Sequence, residues 1–211
     1  MSFSTSFTAT DFHIFLIDGL ENRMNAMKAE IRPKFEELGT YVAPFLTAMV
    51  GEPVTTHIAK HARRTVNAPD ETWVAWSTNR RGYKAYPHFQ VGLNKDYLFI
   101  CFALIYECPK KPLFARHMKE KFEQIWPYIP ANYYVSEDHT KPHFTLKATL
   151  DKNTIQPLLE RLIKVKKTEF LCGLHIPKED KSLLLHNSLL NHITQTFENL
   201  YPLYLLAKEG D

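Results

Sequence analysis

The fold is decided by residues 88–106, which read HFQVGLNKDYLFICFALIY. In the first part of this stretch, Phe89, Val91 and Leu93 alternate with other residues, as on one face of a β-strand. The last ten residues are continuously apolar, which is typical of a strand that is covered on both faces. Since the polar stretch 94–96 favours a tight turn, we expect two buried strands that pair antiparallel.

The rest of the chain predicts helices on either side of this hairpin. Apolar residues recur at intervals of three and four before residue 51 and in several segments after residue 110, a spacing typical of amphipathic helices. We therefore expect a single α+β domain over residues 1–211, with about six mostly antiparallel strands and helices packed on the sheet. Its predicted parts are a helical N-terminal part at 11–51, a sheet core at 56–106 and a helix-strand-helix part at 110–208, while residues 57–64 are ambiguous between strand and helix.

The composition is that of a globular protein that needs neither disulfides nor a structural metal to fold. The 211 residues are 45% apolar and 23% charged, which argues against disorder. Three cysteines without a CxxC pair exclude a disulfide framework and a zinc ribbon. The longest apolar run has ten residues, half of a membrane span, and the first residues lack the pattern of a secretory signal. We therefore expect a cytoplasmic protein without a membrane segment.

Positive charge is concentrated in one stretch of the chain. The net charge is only +3, too small to indicate a nucleic-acid-binding protein by itself. Residues 53–95, however, contain seven bases and two acids. Arginine forms bidentate bonds with phosphate or carboxylate, lysine adds a point charge, and neighbouring aromatic rings can stack on a ligand.

The segment 57–93 is therefore the predicted binding site for an anionic, phosphate-bearing ligand, either a small molecule or a nucleic acid. The alternative is a solvated basic hairpin that serves solubility, or an interaction module that presents this hairpin to an acidic protein. The candidate ligand-binding residues are His57, Lys60, His61, Arg63, Arg64, Arg80, Arg81, Tyr83, Lys84, His88 and Gln90, with His139 and Lys141 further along the chain.

Two other interpretations of the histidines, as metal ligands or as catalytic residues, compete with this prediction. His57 and His61 are four residues apart, as are His139 and His143, but no His-Glu-x-x-His motif occurs, and we predict no bound metal. His143 also begins a His-x-Thr triplet of the kind that two-histidine phosphoesterases use for acid–base catalysis. The second triplet that such an enzyme needs could begin at His186 or His192, but both lie inside a helical pattern. A histidine-dependent phosphoester hydrolase is therefore kept as the enzyme alternative to the binding protein.

The sequence predicts no cofactor, and it favours binding over catalysis without deciding between them. No P-loop, GxGxxG or GxSxG motif occurs, so nucleotide hydrolases, Rossmann dehydrogenases and α/β-hydrolases lose their usual support. The oligomeric state is left open.

Several long motifs resemble a known family. The stretches HIAKHARR, NAPDETWVAW, NRRGYKAYPHFQVGL and SEDHTKP, together with the early DFHIFLIDGLENRM, are similar to the YktB-like proteins of Bacillus-type bacteria. That family has about this length and consists of uncharacterised proteins. The resemblance implies a cytoplasmic bacterial protein with an α+β fold and no assigned activity.

Overall fold

The strands of the chain form one antiparallel sheet. A computed structural model describes residues 4–141 and 143–208. Within these residues, seven strands lie in the order β1-β2-β3-β4-β7-β5-β6, and each neighbouring pair is antiparallel. The strands are β1 (Thr55–Ile58), β2 (Glu71–Ser77), β3 (His88–Asn94), β4 (Tyr97–Leu104), β5 (Tyr134–Ser136), β6 (Thr145–Leu146) and β7 (Phe170–Pro177).

The predicted α+β class with an antiparallel sheet is confirmed, but the described strands number seven instead of about six. The ambiguous segment 57–64 contains the end of an edge strand, β1, and continues as a loop. At the opposite edge, β6 has only two residues. It lies within residues 143–150, where the sequence predicts a short strand.

The hairpin predicted from residues 88–106 lies in the middle of the sheet. β3 pairs with β4 so that Val91 lies opposite Ile100, and both side chains are fully buried. Asn94 stabilises the turn, because its side-chain Oδ1 accepts hydrogen bonds from the backbone N–H groups of Asp96 (2.8 Å) and Tyr97 (3.0 Å). This is the local hydrogen bonding that favours Asn in turns, and the predicted pairing is confirmed.

The helices lie before, between and after the strands. Near the N-terminus, α2 continues through a π-helical turn at Met27–Ile31 directly into α3. This turn precedes Pro33, which has no N–H to donate to the carbonyl of the preceding turn, so the backbone bonding shifts there. The α-helices are α1 (Ala9–His13), α2 (Leu20–Ala26), α3 (Arg32–Val50), α4 (Lys111–Glu120), α5 (Phe122–Ile125), α6 (Lys152–Lys164) and α7 (His186–Lys208).

Short 3₁₀ turns complete the description. They lie at Ile14–Leu16, Trp126–Tyr128, Lys147–Thr149 and Lys181–Leu184. From the sequence, Asp151 is expected to cap a helix. It begins α6, and its carboxylate accepts the backbone N–H groups of Asn153 (2.9 Å) and Thr154 (2.8 Å). In the described part of the chain, no helix is both long and apolar enough to cross a lipid bilayer.

The two faces of the sheet differ in their cover. Helices α3, α4, α6 and α7 contribute to one large hydrophobic core on the face that carries Val91 and Phe89. The ring of Phe89, for example, lies 4.8 Å from that of Phe197 in α7. The opposite face has its own, smaller buried cluster, and loops cover it only in part. This second face contains a cavity.

Candidate functional site

A cavity of ≈ 640 Å³ lies on the sheet face opposite the helices. This volume is in the range of small-molecule sites. Three loops surround it: the β1–β2 loop with His61 and Arg64, the loop after β5 with His139 and Lys141, and the turn between β3 and β4. The N-terminal region adds Phe15 to the wall.

Two cross-strand rows of residues form the floor of this cavity. In the first, which we call the aromatic row, neighbouring strands place Trp73, Gly92, Phe99 and His175 side by side. In the second, the small-residue row, they place Gln90, Cys101, Gly173 and Tyr134 side by side. The small side chains in the middle of the second row leave a recess between the larger groups at its ends.

Glycine is required at the gap in the aromatic row. A Cβ atom on Gly92 would lie 2.2 Å from Cζ of Phe99 and 2.6 Å from the carbonyl oxygen of Thr72. The ring of Phe99 therefore occupies the space that a side chain at residue 92 would need. Glycine in a strand interior often marks such a close approach.

His139 and the buried Glu169 form a hydrogen-bonded pair in the wall of the cavity. Oε2 of Glu169 accepts from the backbone N–H of His139 (2.8 Å) and from its ring Nδ1 (2.7 Å). Burial disfavours the charged imidazole, but the hydrogen bond and the negative charge of Glu169 outweigh it and raise the pKa of His139. Since Nδ1 is engaged with Glu169, Nε2 is the ring nitrogen left for a ligand.

The indole of Trp73 lies between two imidazoles. Its ring centre is 5.5 Å from that of His61 and 6.0 Å from that of His139, and both contacts are edge-on. Nε1 of Trp73 donates to the hydroxyl oxygen of Tyr83 (2.9 Å), which holds the indole in place. The three rings thus form one side of the cavity.

His61 has a strained backbone, with a positive φ of 49°. Residues other than glycine rarely adopt this conformation, and it is enriched at functional sites. Burial, together with the positive charges of Arg64 and Lys84, lowers the pKa of His61 to about 4. The imidazole is therefore neutral at physiological pH, with Nε2 3.1 Å from Oγ1 of Thr72.

Glu71 supplies a carboxyl group that titrates near neutrality. Burial, reinforced by the negative charges of Asp70 and Glu169, raises its pKa to about 7, against the opposing charges of His139 and Arg64. Within the described residues its carboxyl makes no hydrogen bond. A partly buried carboxyl of this kind can donate or accept a proton near pH 7.

An aromatic cluster forms the other side of the cavity. The imidazole of His175 is stacked between the rings of Tyr97 (4.2 Å) and Tyr134 (4.6 Å), and Phe144 meets it edge-on at 4.6 Å. Burial lowers the pKa of His175 to about 4. Its Nδ1 is buried and has no hydrogen-bond partner among the described residues.

The structure brings five of the predicted ligand-binding residues to the cavity. They are His61, Arg64, Gln90, His139 and Lys141. Gln90 is oriented by His88: Nδ1 of His88 donates to the carbonyl oxygen of Tyr86 (2.7 Å), so its Nε2 accepts from the amide nitrogen of Gln90 (2.7 Å). The carbonyl oxygen of the Gln90 side chain then remains as an acceptor.

The other predicted residues lie away from the cavity wall. His88 is completely buried, and burial lowers its pKa to about 4. Arg80 and Arg81 are exposed in the β2–β3 loop and have no carboxylate partner among the described residues. The remaining five do not line the cavity either. His57 forms a hydrogen bond with the carbonyl of Asn79, and Lys60 lines a separate groove of ≈ 230 Å³.

Arg63 is exposed, and Tyr83 is buried behind Trp73. The Nζ atom of Lys84 lies 3.7 Å from the carboxylate of Glu107.

Sequence reasoning missed the groups that shape the cavity most. These are Glu71, Trp73, Tyr97, Tyr134, Phe144, Glu169 and His175. The alternation of strand residues gave one signal, because it places Trp73 of β2 and His175 of β7 on the sheet face opposite the core. Large rings on both faces of a strand indicate a second covered surface. No such signal identifies Glu169, because its role depends on a loop 30 residues away.

The two competing interpretations of the histidines fare differently. Among the described residues, Asp138, His139 and Glu169 place potential metal ligands within 4.8 Å of one another. Their oxygens already accept internal hydrogen bonds, from Thr140 to Asp138 and from His139 to Glu169, and the prediction of no metal stays a prediction. For the phosphoesterase, His192 lies on α7 behind the sheet, while the triplet of His143 lies by the cavity, so these two triplets do not face each other.

Comparison with known proteins agrees with the resemblance noted from the motifs. The chain is 47% identical over 202 residues to the UPF0637 proteins of Bacillus cereus (strain AH187) and Bacillus mycoides (strain KBAB4), covering 96% of this chain and 97% of each relative. The UPF0637 protein of Bacillus anthracis (strain CDC 684 / NRRL 3495) is similar to the same extent. A family model described as a domain of unknown function, DUF1054, matches residues 7–204. The chain therefore belongs to the DUF1054 family of uncharacterised proteins.

Proposed function

We propose that the protein binds a small organic anion, with a phosphate or carboxylate group, in the cavity on the open face of the sheet. The observation that carries this proposal is the pair of His139 and Glu169 in the cavity wall. The carboxylate orients the imidazole and stabilises its charged form, which can donate from Nε2 to an anion.

Two further groups support an anion at this place. Arg64 lines the cavity, and within the described residues its guanidinium has no carboxylate partner. Glu71 is half protonated near pH 7, and in that form it donates a hydrogen bond. His139, Arg64 and protonated Glu71 therefore all offer donors, as an anionic ligand requires.

The proposal relocates the ligand from the whole segment 57–93 to the cavity. From that segment only His61, Arg64 and Gln90 contribute predicted contacts. A cavity of ≈ 640 Å³ bordered by three loops favours a small molecule over a nucleic-acid strand. The compartment proposed is the cytoplasm, supported by three unpaired, buried cysteines.

The test is isothermal titration calorimetry with inorganic phosphate and methylphosphonate. We expect both to bind, and His139→Gln and Arg64→Gln each to weaken binding about tenfold or more, since charged hydrogen bonds are lost. Arg63→Gln is the matched control, because Arg63 is the exposed neighbour of Arg64 and lies outside the cavity wall. Absence of binding by the unmodified protein, or equal losses in all three variants, contradicts the proposal.

A further inference from the structure

The three groups assigned to the anion account for only one side of the cavity. His139, Arg64 and Glu71 lie around Trp73, where β2 begins. A phosphate or carboxylate group alone would fill a small part of ≈ 640 Å³. Aromatic rings bound another part of the space. Among the described residues, six further charged side chains also line the cavity: Asp18, Arg23, Asp70, Lys95, Asp96 and Lys141.

The opposite side of the cavity is aromatic. Tyr97 projects from β4, His175 from β7 and Tyr134 from β5, and these are neighbouring strands of the sheet. Phe144 lies edge-on to all three rings, with centre distances of 5.8 Å, 4.6 Å and 4.9 Å respectively. We call these four residues the aromatic wall.

The middle of the floor is apolar, while Gln90 adds a polar amide beside it. Phe99 and Cys101 of β4 and Gly173 of β7 contribute to it. Thiol and glycine add little polarity, and burial raises the pKa of Cys101, so the sulfur stays protonated. An apolar ligand group that covers such a surface displaces the water in contact with it, and this contributes favourably to the free energy of binding.

We infer that the bound anion carries an aromatic ring, which packs over the floor of the cavity against the aromatic wall while its phosphate or carboxylate group meets His139 and Arg64. This inference rests on the proposed function and names the chemical class of the ligand. Aromatic rings pair favourably in stacked and edge-to-face arrangements, and the aromatic wall offers ring partners to such a ligand. A ring-free anion would leave the space beside this wall and the recess of the small-residue row unfilled.

The discriminating experiment compares phenylphosphonate with methylphosphonate by calorimetry on the unmodified protein. The two probes have the same charged group and differ only in the ring. We expect phenylphosphonate to bind about tenfold to a hundredfold more tightly, because the phenyl group buries more apolar surface than methyl. Equal affinities would overturn the inference and leave the proposed function standing, whereas a lack of binding by both probes would overturn the proposed function itself.

A substitution in the aromatic wall tests where the aromatic ring of the ligand lies. Phe144→Leu keeps an apolar side chain but removes an aromatic partner, so we expect it to reduce severalfold the advantage of phenylphosphonate over methylphosphonate. Tyr128→Leu is the matched control, because Tyr128 is an exposed ring that does not line the cavity. An undiminished advantage in Phe144→Leu would show that the ring does not meet the aromatic wall. Should this variant unfold, the comparison of the two probes on the unmodified protein still decides the inference.

Discussion

Glu169 holds His139 by two hydrogen bonds to a single carboxylate oxygen, one from the backbone N–H and one from the imidazole. The second carboxylate oxygen accepts from the backbone N–H of Tyr106 at 3.0 Å. The side chain of Glu169 is only 2% exposed, so its charge depends on these donors. The loop after β5 and the end of β4 are thus attached to one buried carboxylate.

We expect Glu169→Gln to lower the pKa of His139. In the unmodified protein, burial lowers the pKa of His139 and Glu169 raises it, with a net upward result. Without the negative charge the burial effect dominates, and the pKa should fall below the ordinary value of 6.5. NMR titration of the His139 ring protons measures the shift, and Glu179→Gln, at an exposed position, is the control. An unchanged titration would show that Glu169 does not set the charge of His139.

The free energy of unfolding should depend on pH through Glu71. Its pKa is about 7 in the folded protein against an ordinary 4.5, so the folded state binds more protons than the unfolded state between these values. Stability from this group is complete below about pH 4.5 and is lost as the pH rises through 7.

Glu71→Gln, which cannot ionise, should therefore gain stability relative to the unmodified protein as the pH rises from 5 to 8, by about 1–3 kcal/mol. Urea denaturation at several pH values measures the difference between the two proteins. The exposed Glu21 offers a control substitution, Glu21→Gln. A difference that stays constant over this range would contradict the assigned titration of Glu71.

Gly92→Ala should destabilise the fold and alter the cavity floor. The added Cβ would lie 2.2 Å from the ring of Phe99 and 2.7 Å from Cβ of Trp73, so both side chains must move. Overpacking of this kind costs about 1–3 kcal/mol of unfolding free energy. Gly82→Ala is the control, since a Cβ there meets no atom within 4 Å. Thermal denaturation measures both, and equal melting temperatures would contradict the close packing at Gly92.

The double substitution of Arg80 and Arg81 to Ala should change little. Both side chains are exposed, and among the described residues neither forms an ion pair with a carboxylate. Exposed charges of this kind contribute about 0–1 kcal/mol or less to stability. Because neither arginine lines the cavity, methylphosphonate binding should also stay unchanged. A large loss of binding would return the site to the β2–β3 loop and away from His139.

Alternation, turn residues and capping residues were enough to predict the central hairpin and α6. These features act between residues that are close in the chain: Asn94 bonds to Asp96, and Asp151 bonds to Asn153. Local hydrogen bonds and the two-residue period of a strand are properties of the sequence itself. Short strands are also expected from the sequence at 133–136 and 143–150, and β5 and β6 lie within these ranges.

The sequence by itself determined the α+β class, the buried hairpin, the family and a set of polar residues from which five line the cavity. Only the tertiary structure decided which residues meet there. Trp73 contacts His139 across 66 positions of the chain, and His139 contacts Glu169 across 30. Such contacts depend on the order and register of β2, β4 and β7, which bring distant segments to one face of the sheet. A charged residue in the basic segment therefore joins the site only where strand pairing and loop path turn it towards the cavity, as for Arg64 and not for Arg80.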